Sequence, residues 1–222
     1  MNELSNKISF YTPPQNNYNE ILNQALIFPY TPEPNEEMFD VLDENGLPVG
    51  HILPRSICHK FGLYHRAIAG WIINPDNKIL IQKRSMSKEK GAGLWDISFA
   101  GHVSAGQNSI SAASREINEE ISIGLVRDVS SVRDFTFKAS FRHHLKQNDV
   151  IDNQFYEIFT LYITEKSVAQ LSFQKEEVEE IKFVDLATLR EMLNEKTPDG
   201  NRIFVDRPKI LFDILENTIF NY

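Results

Sequence analysis

The chain has 222 residues with 41% hydrophobic and 24% charged residues, an ordinary balance for a globular protein with a sizeable core. Its net charge of −8 and pI near 5.3 argue against a broad nucleic-acid-binding surface, and no apolar run approaches the ~20 residues that span a bilayer. Cys58 is the only cysteine, which excludes an internal disulfide and a cysteine-based zinc cluster. With no basic segment followed by an apolar core at the start, the expectation is a cytoplasmic protein that does not engage a membrane.

Residues 1–35 read as an N-terminal extension and residues 36–222 as the main domain. Tyr11–Pro14 and Tyr30–Pro34 are proline-punctuated, extended stretches, with a short helix expected between Asn16 and Leu26. The extension packs on the main domain or on a second subunit, so a homodimer stays open. From Glu36 the signals are β-rich. Met38–Leu42 and Val49–Leu53 flank Asn45-Gly46, a strong hairpin turn. Pro54–Gly62 reads as a short helix, with proline in its first turn and glycine ending it. Ala67–Ile73, Lys78–Lys83 and Trp95–Ala100 read as strands, as do Arg133–Phe141, Phe155–Thr164 and Glu180–Val184. Leu186–Asn194 and Pro208–Phe220 read as helices. Strands interleaved with a few helices make the class α/β.

The stretch Gly101–Leu125, GHVSAGQNSISAASREINEEISIGL, carries the chemistry. A glycine-bearing turn runs into a predicted helix on which Glu116, Glu119 and Glu120 fall at i, i+3 and i+4, placing three carboxylates on one face. Ile110, Ala113, Ile117 and Ile121 supply an apolar face. Carboxylates crowded in this way repel, and a hard divalent cation such as Mg²⁺ or Mn²⁺ offsets that repulsion; a solvated acidic face is the plain alternative.

The stretch resembles the Nudix box, G-x5-E-x7-R-E-apolar-x-E-E-x-G-apolar. Gly101, Arg115, Glu116, Ile117, Glu119, Glu120 and Ile123 fall on the pattern, while Gln107 replaces its first Glu and Ser122 its last Gly. The segments FDVLDENGLPVG, RSICHKFGLYHRAIAGWII, ILIQKRS and GLWDISFAGHV are similar to the Nudix subgroup that holds isopentenyl-diphosphate isomerases and related hydrolases. The resemblance implies a Nudix fold, an α/β/α sandwich with a mixed sheet. It implies a metal-dependent pyrophosphohydrolase acting on a small-molecule diphosphate, with Glu116, Glu119 and Glu120 holding Mg²⁺ or Mn²⁺ and Arg115 orienting them.

Other roles follow from the same resemblance. Gly101, Arg84 and Lys88 fall on substrate-binding positions, the two cations where diphosphate is contacted; an arginine fork and a lysine point charge both suit phosphate. Arg66, Lys83 and Lys90 are further basic neighbours, and Lys90 alone reads as part of a solvated loop. His59, His65 and His102 match a second metal site of the isomerases, but its later carboxylates are reduced to Asp152, with Gln154 neutral. The isomerase cysteine before Gly-His is Ala100, which has no proton to transfer. Cys58 reads as a buried small hydrophobe. Gln107 is expected to weaken or shift an additional metal, Gly124 to take over the turn left by Ser122, and Glu157 is either an extra base or an exposed strand carboxylate. Trp71, Trp95 and Phe99 line a pocket or the core. Besides hydrolysis, isomerase activity and a non-catalytic ligand-binding or regulatory role remain alternatives.

Overall fold

The computed structural model describes residues 17–31, 33–121, 135–147, 149–169 and 171–220. The expectations for Ser122, Ile123 and Gly124 lie outside them. The chain forms two compact units, residues 1–66 with 142–155 and residues 67–141 with 156–222. No described helix is long and apolar enough to cross a membrane.

The first unit holds helix α1 (Tyr18–Ile27), the hairpin β1 (Met38–Leu42) and β2 (Pro48–Pro54), and helix α2 (Arg55–Phe61). The hairpin forms because Asp43 Oδ1 accepts from the Asn45 and Leu47 amides while Gly46 takes a positive φ of 82°. Helix α2 starts after Pro54, which is extended, and stops at Gly62, which is left-handed at φ 66°. Any side chain at Gly62 would also collide with Ile151, since a Cβ there would lie 2.7 Å from Ile151 Cγ2. Tyr18, Leu22, Phe39, Val41, Leu53, Ile57 and Cys58 are among the residues of its core. The Tyr18 hydroxyl donates to the Leu42 carbonyl at 2.5 Å and accepts from the Tyr64 amide at 3.2 Å, tying α1 to the hairpin.

The second unit is built on a seven-stranded sheet: β3 (His65–Ile73), β4 (Ile79–Arg84), β5 (Trp95–Asp96), β6 (Phe99–His102), β7 (Phe135–Gln147), β8 (Val150–Tyr162) and β9 (Val178–Val184). Strands β3, β7 and β8 have residues in both units. The main path runs β5-β4-β3-β8-β7, with β6 on β3 and β9 on β4. Pairings β3–β4, β3–β6, β4–β5 and β4–β9 are antiparallel, and a parallel bridge joins Trp95 to Phe204.

Alternation along β3 assigns the layers. Ala67, Ala69, Trp71 and Ile73 pack with Leu189 and Met192 of helix α5 (Leu186–Asn194) and Leu211 and Leu215 of helix α6 (Lys209–Phe220). Ile68 and Ile72 face the other way, onto Ala112, Ala113 and Ile117 of helix α3 (Ser109–Glu120). This is the expected α/β/α sandwich. Trp71 and Phe99 are buried in it, so both are core. Phe99 occupies the space beside Gly70, where a Cβ would lie 2.3 Å from its ring.

Some boundaries differ from the sequence reading. Trp95–Ala100 is two strands, and between them the Ser98 hydroxyl donates to the Leu80 carbonyl at 2.5 Å and accepts from the Ile72 amide at 2.8 Å. Strands β7 and β8 each run 13 residues, longer than expected, and a four-residue helix α4 (Glu165–Val168) follows them.

Candidate active site on the acidic helix

Helix α3 is positioned at both ends by local chemistry. The Asn108 side chain caps it by accepting from the Ser111 amide at 2.8 Å, and it ends at Ile121, which is extended and buried. Its N-terminal approach is β6, where Ile68 pairs with Gly101 and Ala69 with Ala100.

Gly101 has a steric reason to be glycine. A Cβ there would lie 2.0 Å from Glu116 Oε1 and 2.2 Å from Glu116 Cδ, so the carboxylate rests against bare backbone. Arg115 Nη1 is 2.9 Å from Glu116 Oε1 and donates to Glu119 Oε2 at 3.0 Å, while Nη2 donates to the His102 carbonyl at 3.0 Å. One guanidinium thus ties two of the three carboxylates together and fastens α3 to β6. Exposure grades along the set: the Glu119 side chain is 52% exposed, Glu116 13%, and Glu120 is buried.

Glu120 is the most perturbed of the three. Burial, followed by the charge of Asp96, pushes its carboxyl up to about 7, against the hydrogen bond from Gln82 and the charges of Arg84 and Lys88. Gln82 Nε2 donates to Glu120 Oε2 at 2.7 Å and makes a longer contact with the Ser98 carbonyl at 3.3 Å. Helix α3 thus carries one buried carboxyl that ionises with difficulty and two carboxylates that share one guanidinium. Near the helix, Ile110, Ser111, Ser114, Arg115, Asn118 and Glu119 line an open cavity of about 450 Å³.

Both expected phosphate-binding cations lie in the electrostatic reach of this helix. The Lys88 ammonium is held below its usual range by burial and by Arg84, while Glu120, Glu116 and Glu119 pull it back up. Lys88 forms an ion pair with Glu177, and Arg84 Nε donates to the Lys90 carbonyl at 3.1 Å. Lys83 pairs with Glu179 at 3.5 Å, whereas Arg66, in the first unit, lies 3.6 Å from Asp40. Lys182 stands over the Trp95 ring at 4.0 Å, so Trp95 stacks on a protein cation.

In the first unit, His59 Nε2 and His65 Nε2 lie 3.5 and 3.3 Å from Asp152 Oδ1. His65 stacks on Phe39 at 4.4 Å, and Gln154 donates to Asp152 Oδ2 at 3.0 Å. Burial works against ionising Asp152, yet the two histidines beside it hold its carboxyl well below the usual range. His59 and His65 therefore gather around one oxygen of Asp152, while Gln154 donates to the other. His102 belongs to the second unit, where its carbonyl accepts from Arg115. Cys58 is fully buried, and burial pushes its thiol up to about 12, which suits the small-hydrophobe reading. Glu157 is half-buried on β8.

Sequence reasoning missed Gln82, Asp96, Arg207 and Glu177. Asp96 lies on the strand segment that leads into the box, but the charged or amide partners of all four come from distant parts of the chain, which leave no local signal.

The NUDIX domain model matches residues 63–207, more than half of the chain. The chain is 36% identical over 167 residues to Nudix hydrolase 3 of Arabidopsis thaliana, covering 73% of this chain and 21% of that protein's own length. It is 33% identical over 161 residues to isopentenyl-diphosphate Delta-isomerase 1 of Aromatoleum aromaticum, covering 72% and 84% respectively. The crystal structure of DR0079 from Deinococcus radiodurans superposes with a TM-score of 0.56 at 19% identity, over 82% of this chain and 98% of that one, a likeness of fold. With the family model spanning the sheet, α3 and the segment up to Arg207, the chain belongs to the Nudix hydrolase superfamily.

Proposed function

We propose that this chain is a divalent-metal-dependent pyrophosphohydrolase that cleaves a phosphoanhydride bond of a small organic diphosphate by attack of water. The observation that carries the reading is the seating of Glu116 on the bare backbone of Gly101, with Arg115 linking Glu116 to Glu119 and Glu120 buried on the same helix. Glu116, Glu119 and Glu120 would hold Mg²⁺ or Mn²⁺, since both favour oxygen ligands. When bound, such a cation neutralises charge on diphosphate oxygens and lowers the pKa of a coordinated water.

The chain's own groups do the rest. Arg115 fixes the directions of the Glu116 and Glu119 carboxylates and carries a positive charge that offsets their mutual repulsion. Gln82 orients Glu120 and lowers its cost of ionisation by donating a hydrogen bond. Arg84 and Lys88 supply the cationic side of the site, where phosphate oxygens are bound and the leaving phosphate's charge is met.

Isomerisation of a prenyl diphosphate is the second reading, favoured by the similarity to the Aromatoleum isomerase. It requires a proton donor where this chain has Ala100 on β6, and a methyl group cannot fill that role. Two isotope measurements separate the readings. Hydrolysis in heavy-oxygen water with Mg²⁺ should put one labelled oxygen into a phosphate product, and isopentenyl diphosphate should take up no deuterium from heavy water. Deuterium uptake without phosphate release would reverse the assignment.

A further inference from the structure

One heavily bonded carboxylate of the second unit lies outside the acidic helix. Asp96 is 1% exposed, and its two oxygens receive four donors. Oδ1 accepts from the Ile97 amide at 2.8 Å and from Arg207 Nε at 2.8 Å, and Oδ2 accepts from Arg207 Nη2 at 2.7 Å and, more loosely, from Arg84 Nη1 at 3.4 Å. Arg207 grips Asp96 through two parallel bonds, the geometry in which arginine holds a carboxylate most firmly. It arrives there because the strip before it is pinned to β5: the Trp95 amide donates to the Ile203 carbonyl, and the Val205 amide to the Trp95 carbonyl, each at 2.8 Å.

Arg84 is held at two further points. Its backbone is clamped by the Leu94 carbonyl at 2.9 Å and the Gly93 amide at 3.0 Å, and its Nε donates to the Lys90 carbonyl. Gly91, at φ 65°, lets the loop close on the side chain; a Cβ there would lie 3.3 Å from Arg84 Cδ and Nε. The guanidinium plane is therefore fixed from two sides, through Nε and Nη1, while Nη2 has no bond to a described residue. A rigid guanidinium with one donor group left over is a preorganised receptor for an anion, because little side-chain freedom remains to be lost on binding.

We infer that Asp96, locked in place by Arg207, is a positioning residue that orients Arg84 for the phosphate groups of the substrate. The inference rests on the hydrolase reading for what Arg84 binds. Arg207 also matches the Asp96 charge, so a buried carboxylate can sit beside an anion site without repelling the ligand. Neither residue touches substrate; both act through Arg84.

Calorimetric binding of methylenediphosphonate, a diphosphate that cannot be hydrolysed, tests this in a double-mutant cycle on the full chain. Arg84→Met and Asp96→Asn should each weaken binding by about tenfold or more, the scale of one charge-assisted hydrogen bond. The double variant should bind no more weakly than Arg84→Met alone, since Asp96 has nothing left to position. A merely structural role for Asp96 would instead give additive losses and overturn the inference, as would undiminished binding by Asp96→Asn. If Asp96→Asn leaves Arg207 unmatched and the chain fails to fold, Asp96→Asn with Arg207→Met removes both buried charges and takes its place in the cycle. Undiminished binding by Arg84→Met would overturn the inference through its target. Metal-dependent phosphate release by the wild type, measured on the same preparation, reports separately on the hydrolase reading.

Discussion

Gly101→Ala is the smallest perturbation that reaches the centre of the site. The added methyl would lie 2.0 Å from Glu116 Oε1, 2.2 Å from Cδ and 2.7 Å from Cγ, where ordinary contact begins at 3.4 Å. The oxygen must therefore retreat by about 1.4 Å (3.4 − 2.0). Arg115 opposes that retreat, because its guanidinium holds the same oxygen at 2.9 Å and is itself fastened to Glu119 and the His102 carbonyl. Misplacing a reacting or ligating group by about 1 Å costs roughly 100-fold in rate, and overpacking of this kind costs about 1–3 kcal/mol in stability. The expected variant is thus folded, melts lower, binds Mn²⁺ more weakly by calorimetry, and releases phosphate about 100-fold more slowly. Adding Glu116→Ala removes the clashing atoms, so the double variant should recover melting temperature without recovering turnover. Wild-type Mn²⁺ affinity and turnover in Gly101→Ala would refute the idea that Glu116 must rest on bare backbone.

Three further outcomes follow from the same geometry. The Glu120 carboxyl is raised from its ordinary 4.5 to about 7, so in metal-free protein its stability contribution is greatest below pH 4.5 and is lost as pH rises towards 7. The loss is about 3 kcal/mol at most, and urea unfolding in EDTA should show Glu120→Gln drawing ahead of wild type as pH rises; a constant gap between the two would contradict it. Glu177→Gln should release Lys88 from its ion pair and lower KM for a diphosphate substrate by a few fold (about 1 kcal/mol or less for a partly exposed pair), with kcat little changed; an unchanged or raised KM counts against Lys88 as a phosphate contact. Cys58, with its thiol pushed up by burial, should react with a thiol reagent only at the rate of unfolding, and fast labelling of native protein would show the core of the first unit to be open.

What was legible in the sequence is what short-range chemistry writes. Asn45-Gly46 makes the hairpin, Pro54 and Gly62 bracket α2, and the i, i+3, i+4 spacing of Glu116, Glu119 and Glu120 puts three carboxylates on one helix. The apolar run Ala67–Ile73 marks a strand, which the structure buries between two helical layers. The full reach of β7 was hidden because Arg142–Gln147 has little apolar period to mark a strand, and β7 ends the main path of the sheet. The break at Ser98 was hidden for a different reason, since the Ser98 hydroxyl bonds to Leu80 and Ile72 from two other strands. The same holds within the site. Arg115 reaches Glu119 at i+4 and could be anticipated, whereas Arg207 reaches Asp96 across 111 residues and Gln82 reaches Glu120 across 38. Charge pairs of that separation are set by how the sheet orders its strands, which periodicity does not reveal.

The central claim is that the acidic helix α3 holds a divalent metal for phosphoanhydride hydrolysis. Phosphate release should therefore be measured across a panel of organic diphosphates with Mg²⁺ or Mn²⁺, with EDTA, and with Glu120→Gln beside the wild type. The account predicts turnover of at least one compound that EDTA abolishes and that falls by about 100-fold or more in the variant, the scale of losing a key electrostatic group. Equal turnover by wild type and Glu120→Gln, or none from the wild type while a panel compound still raises its melting temperature, would contradict it; the second result would assign the fold to ligand binding instead.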